Sequence, residues 1–417
     1  MQREQDVRLE LNLLRGPANK RLTLPLFDGV KVVLVRDRQE RPDENIQAWY
    51  GHIQGQPGSA VVLTSDAEGL EGTVIARTPK RGLVYYEIEP VRDRLHALRK
   101  FDPAKIPRES PPAPQGTGLP MALTRVCTTD PPSQIDVLVV YTEAARLSVE
   151  GPAKMRRKIR HAVNQTNDSY DRSDISQRLR LVHLQEVPYK ESEATETGSQ
   201  APGGDTSDPV TSLARLLEPA DGFLDDVPPL RDSHSADVVV LIVKNLASCG
   251  KATNMEDVSP GFEASAYALV RVDCATRIFS FAHELGHLMG ARHDWGRDSA
   301  DWEQFHKGLK PAGYNHGYIT KKPPPPGETP WQTIMGSQED HGRILQWSNP
   351  SIEFDGEATG ILTGDLQADN HKRLNETAPT VTNFRCASAP PDSPVGVTNQ
   401  DPRGERSGSA GTPAPHR

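Results

Sequence analysis

No apolar run in this chain approaches the length of a bilayer span; the longest, Val238 to Val243, is far too short. No membrane-crossing helix is therefore predicted, and a soluble protein is expected. An excess of positive charge is also missing. A net charge of −8 argues against nucleic acid or an anionic membrane as the main partner, because neither is drawn to an acidic surface. The opening Met1-Gln-Arg-Glu-Gln-Asp6 has no apolar stretch of the kind a secretory signal needs. Export by another route and a missing true start are the two readings. Cysteine is scarce, and its four copies, Cys127, Cys249, Cys274 and Cys386, permit two disulfides without specifying any.

The 417 residues present are enough for two domains. Residues 1–100 read as a β-rich unit of short alternating runs, such as Val30-Lys-Val-Val-Leu-Val35 and Leu83-Val-Tyr-Tyr-Glu-Ile88, cut by Gly, Pro and Asp turns. No cluster of metal-ligand residues stands out there. Residues 101–133 are Pro-rich and aperiodic, a linker's composition. From 134 to 386 buried-type strands (Ile135–Tyr141, Leu179–Leu184, Val238–Val243, Ala266–Val272) alternate with helical stretches (143 to about 170, and 210–217), which is α/β order. The tail, 387–417, reads as disordered.

The chemistry lies in His283-Glu-Leu-Gly-His-Leu-Met-Gly-Ala-Arg-His293. A helix is predicted over Ala275–Met289, and within it His283 and His287, at i and i+4, share one face. Two neutral imidazoles so spaced can share one zinc ion at about 2.0–2.1 Å each. Glu284 lies about 100° further round, beside such a metal and within reach of a water. Gly290 is placed to end the helix in a left-handed turn that returns the chain, making His293 a third ligand. Three protein ligands leave a fourth position open, as catalytic zinc sites do.

This run, His-Glu-x-x-His-x-x-Gly-x-x-His, resembles the metzincin zinc metalloproteases. Asp294 makes it similar to the reprolysin or adamalysin branch, and Thr333-Ile-Met335-Gly336 resembles the Met-turn that such enzymes carry beneath the metal. Ile135-Asp-Val-Leu-Val-Val-Tyr-Thr142, Trp347-Ser-Asn-Pro350 and Ala368-Asp-Asn370 extend the likeness, over about 133–386, to bacterial reprolysin-like proteases including the peptidyl-Asp metallopeptidase group. The resemblance implies an α/β (α+β) zincin fold, with a mixed sheet over the active-site helix and a small C-terminal subdomain. It implies one catalytic Zn2+ held by His283, His287 and His293, Glu284 as general base, and protein or peptide substrates extended along an edge strand near Gly250–Met255. Asp294 is expected to be buried and to orient the site. Residues 1–100 resemble a metzincin prodomain, notably from Trp49-Tyr-Gly-His-Ile-Gln-Gly55 to His96-Ala-Leu-Arg99. A Ca2+ site is allowed by the family likeness, with no residue pattern behind it.

A Cys249–Cys274 disulfide would pin the approach to the active-site helix, with buried free thiols as the alternative. Cys127 is open to two readings: a bridge to Cys386 that clamps the ends of the catalytic domain, or a thiolate switch on the metal. The expected protein is an extracellular, monomeric zinc endopeptidase with a prodomain. The competing class is a non-catalytic zincin scaffold used for binding or adhesion, against which the intact Glu284 counts.

Overall fold

In a computed structural model the described residues are 3–9, 14, 20–78, 82–92, 94–115, 133–191, 208–218, 220–306, 313–324, 326 and 328–386, with the side chains of 78, 209 and 301–306 left aside. Among them, eight strands form an antiparallel sheet: β1 (Arg3–Arg8), β2 (Arg21–Pro25), β3 (Lys31–Asp43), β4 (Ile46–Ile53), β5 (Ala60–Ser65), β6 (Leu70–Thr78), β7 (Gly82–Arg92) and β8 (Leu95–Phe101), ordered β1-β8-β7-β6-β5-β4-β3-β2. Alternation along each strand sends Val61, Leu63, Val74, Val84 and Tyr86 into one apolar cluster with Leu34 and Trp49. The opposite face, with Val62, Ile75, Leu83 and Tyr85, joins the core built by later residues. Both faces are covered, and Met1–Ala387 packs as one compact unit.

The second sheet is mixed. Its strands are β9 (Gln134–Thr142), β10 (Arg178–Val187), β11 (Val238–Val243), β12 (Gly250–Ala252) and β13 (Tyr267–Arg271), ordered β10-β9-β11-β13-β12. All neighbours are parallel except β12, which pairs antiparallel with β13 at the edge. The α-helices that follow β9 along the chain are α1 (Glu143–Ser148), α2 (Pro152–Asp171), α3 (Pro209–Leu217), α4 (Val227–Ser233), α5 (Ser280–Leu288), α6 (Trp295–His306) and α7 (Asn370–Val381). No helix among the described residues is long and apolar enough to cross a membrane. One helix was expected from 143 to about 170, but the chain breaks where Glu150 and Gly151 take φ of 63° and 126° and Pro152 starts α2 afresh. The expected start at Ala275 also moves, because Phe279 adopts φ 62° immediately before α5.

Helix α2 carries Met155, Ile159 and Ala162 into the main core. Its other side is polar yet buried against the N-terminal sheet. Arg157 forks onto Asp66 at 2.9 and 2.7 Å, and the Lys158 ammonium lies 2.7 Å from Glu71 and 2.9 Å from Glu89. The His161 ring nitrogens sit 3.0 Å from Thr64 Oγ1 and 3.0 Å from Thr73 Oγ1, and Gln165 donates to Thr73 at 2.7 Å.

Burial, then the nearby Lys158 charge, lowers the His161 pKa to about 3. The unfolded chain therefore takes up a proton below pH 6.5 that the folded chain refuses, so stability falls by about 1.4 kcal/mol per pH unit from 6.5 toward 3. Urea unfolding at a series of pH values is expected to show a shallower acid limb by that slope in His161→Gln. Parallel limbs for the two chains would rule His161 out as the titrating group.

Candidate metal centre

Three imidazoles converge on one point. Helix α5 places His283 and His287 on one face; at its end Gly290, with φ 81°, donates its N–H to His287 O at 2.9 Å while Ala291 N donates to Gly286 O at 2.8 Å. No side chain fits at Gly290, because a Cβ would lie 2.5 Å from Arg373 Nε and 2.7 Å from Met255 O. The chain turns back and brings His293 Nε2 to 3.0 Å from His283 Nε2 and 3.1 Å from His287 Nε2. His283 Nδ1 donates to Ile334 O and His287 Nδ1 to Ala291 O, both at 2.9 Å, which leaves their Nε2 lone pairs facing inward. Burial first holds both rings neutral: it lowers the His283 pKa to about 3 and that of His287 well below its ordinary value. Converging lone pairs in a dry pocket repel one another unless a cation sits among them, so this donor set fits a zinc-type ion.

Glu284 is fully buried, and neither of its carboxylate oxygens meets a hydrogen-bond donor among the described residues. Burial, then the neighbouring Glu109 charge, pushes its pKa well above the ordinary carboxyl value. Room for it comes from Gly250 on β12, where a Cβ would collide with the carboxylate.

Met335 lies under the helix in the Thr333–Gly336 turn, which is closed by Gly336 N donating to Thr333 O at 2.9 Å. A Cβ on Gly286 would stand 2.7 Å from the Trp347 ring and 3.1 Å from Met335 Sδ. Trp347 cannot easily give way, since its indole N–H donates to Ser169 Oγ at 2.9 Å. Gly286→Ala is therefore expected to cost about 1–3 kcal/mol of stability and to weaken zinc binding, measured by thermal melting and metal titration. Unchanged values for both would show that the contact yields freely.

Asp294, expected to be buried and to orient the site, is buried. Its carboxylate accepts from Gly296 and Arg297 N–H, which starts α6, and from Ser337 N–H at 2.9 Å, while its own N–H donates to Met335 O at 3.1 Å. It thus ties the His293 segment to the methionine turn. His316, which the sequence did not single out, is fully buried against the site, with Nδ1 3.0 Å from His293 O and its ring stacked on Trp295 at 3.8 Å. The carboxylate trio Glu71, Glu87 and Glu89 also has metal-like spacing, but the Lys158 ammonium lies among its oxygens.

Cys249 and Cys274 form a disulfide with Cα atoms 5.5 Å apart, next to the edge strand. Cys386 is also disulfide-bonded; Cys127, with both readings of it, lies outside the described residues.

One arrangement was missed entirely. Residues 108–113, from the stretch read as linker, lie along the open edge of β12, with Cys249 N donating to Arg108 O at 3.0 Å, Ser110 N to Gly250 O at 2.9 Å, and Ala113 N to Ala252 O at 2.8 Å. The edge expected to receive substrate is thus covered by the chain itself. The Glu109 side chain, pointing inward, meets the buried Arg343. No sequence signal joins two such residues 234 positions apart.

Comparison with known proteins places residues 131–348 in a match to metallo-peptidase family M12. The peptidyl-Asp metalloendopeptidase of Stenotrophomonas maltophilia (strain R551-3) is 29% identical over 380 residues, covering 86% of this chain and 81% of the relative. That of strain K279a is 30% identical over 379 residues, with the same shares of 86% and 81%. The protein of that name from Xanthomonas campestris pv. campestris is 28% identical, covering 89% of this chain and 83% of its own.

Proposed function

Since the chain belongs to metallo-peptidase family M12 and is a metalloendopeptidase, we propose that His283, His287 and His293 hold its zinc and that Glu284 is the general base for hydrolysis of peptide bonds in protein substrates. The observation that carries this is the convergence of three inward-facing Nε2 atoms beside a buried carboxylate with no donor of its own. Zinc, when bound, supplies Lewis-acid polarisation of the scissile carbonyl and lowers the pKa of water toward 7. Glu284 takes a proton from the attacking water and passes it to the leaving amine. The Ile334 and Ala291 carbonyls fix the ring orientations of His283 and His287. No covalent acyl-enzyme is required.

Once residues 108–113 leave it, the edge strand β12 offers main-chain groups for an extended substrate, and the domain doing this work is 134–386. The relatives' name supports cleavage directed by aspartate. Residues 1–100 act as a prodomain joined through 101–133, and 387–417 form a tail outside the catalytic work. The Cys249–Cys274 disulfide supports an oxidising, extracellular setting. The test is zinc content by elemental analysis together with prolonged digestion of a denatured protein, with and without chelator. One zinc per chain and chelator-sensitive cleavage are expected; cleavage that persists after the metal has gone would sink the reading.

A further inference from the structure

Arg343 is a fully buried cation whose surroundings are built for a carboxylate. Its Nε and Nη2 donate to Gly336 O at 3.1 and 3.0 Å, and its Nη1 donates to Ile278 O at 2.9 Å. So anchored, the two terminal nitrogens open as a fork, and Glu109 fills it bidentately, Nη1 to Oε1 and Nη2 to Oε2, both at 2.7 Å. Ser280 Oγ adds a third donor at 2.7 Å. The pocket lies beside the metal centre: Ser280 begins the helix that carries His283 and Glu284, and Gly336 follows Met335.

Host and guest come from different parts of the chain. Ile278, Ser280, Gly336 and Arg343 all fall within residues 131–348, the span matching the peptidase family, whereas Glu109 lies outside it. The guest arrives on the segment that already takes the main-chain hydrogen bonds of β12, the edge an extended peptide would use. Glu109 therefore stands where a peptide on β12 would present a side chain close to Glu284. A buried guanidinium with its carboxylate removed is left as an uncompensated charge, so the vacated pocket should accept an acidic side chain and reject its neutral isostere.

We propose that Arg343 is the specificity-determining residue, its guanidinium reading the carboxylate of an acidic substrate side chain next to the scissile bond, and that Glu109 occupies this pocket in the full-length chain. The inference rests on the peptidase reading and assigns its selectivity to one residue.

The test uses full-length, zinc-loaded chains and two labelled peptides that differ only in Asp or Asn at one position. Glu109→Gln is expected to cleave the Asp peptide at least ~10-fold faster than wild type and to prefer it over the Asn peptide by ~100-fold or more. Equilibrium binding, measured by fluorescence anisotropy on Glu109→Gln/Glu284→Gln, should show a similar preference; adding Arg343→Gln should reduce it to within ~3-fold. Circular dichroism and zinc content monitor folding. If Arg343→Gln does not fold, Arg343→Lys, which keeps the charge but loses the fork, should cut the preference ~10-fold. A preference that survives either Arg343 variant, or equal binding of the two peptides by the chain with Arg343 intact, overturns the assignment. A cleavage rate unaffected by Glu109→Gln overturns the occupancy. Selective binding with no cleavage in any chain would reject the peptidase reading and leave Arg343 as the reader of the carboxylate.

Discussion

Glu284→Gln binds one zinc per chain, as wild type does, and hydrolyses protein at least ~10²-fold more slowly. That is the expected outcome in both the wild-type and Glu109→Gln backgrounds. Proton transfer by a positioned side chain is worth about 10²–10⁴ in rate, and an amide of the same shape cannot accept the proton. The prediction is sharp because the Glu284 carboxylate has no hydrogen-bond donor among the described residues, so removing its charge breaks no structural contact of that kind. Melting temperature and zinc stoichiometry should therefore stay near wild type while turnover collapses. Turnover within a few-fold of wild type would move the base elsewhere.

Stripping the metal should have the second large effect, on stability rather than rate. With zinc at ~1,000-fold over its dissociation constant the bound form gains roughly 4 kcal/mol, all of it lost in chelator. His283, His287 and His293 are each at most 1% exposed, so the loss leaves buried lone pairs facing one another without compensation. Calorimetry in chelator should show a lower melting temperature that zinc restores. Acid should act in the same direction. The folded-state pKa of His283 is lowered to about 3, so as pH falls below the unfolded value near 6.5 protons favour the unfolded, metal-free chain. A melting temperature indifferent to chelation, with zinc shown to have left, would mean that the histidines do not couple metal to folding.

The metal run could be read from sequence because its information is local. His283, His287, Gly290 and His293 are related by helix geometry and one left-handed turn, and Met335 could be placed by residue type and distance. The strands β9 and β11 announced themselves as apolar runs. What escaped was everything held by long-range pairing. Arg157, Lys158 and His161 look like a solvated helix face, and only the carboxylates and hydroxyls of a distant sheet make their burial tolerable. The stretch from 101 looked structureless because prolines cannot donate to a ladder. Yet Pro111 and Pro112 fall between the two donating residues, Ser110 and Ala113, so an extended strap loses nothing by containing them.

The strap at 108–113 also determines how a cut chain would behave. While the backbone is continuous, Glu109 competes for Arg343 at the effective concentration of a tethered group, of millimolar order for short links. A single cleavage within residues 116–132 would leave the N-terminal part held only non-covalently, through the core it shares with the later residues and the Arg157 and Lys158 ion pairs. Glu109 would keep competing for Arg343 as long as that packing persists, so departure of the whole N-terminal part, rather than the cut itself, would set when the pocket opens.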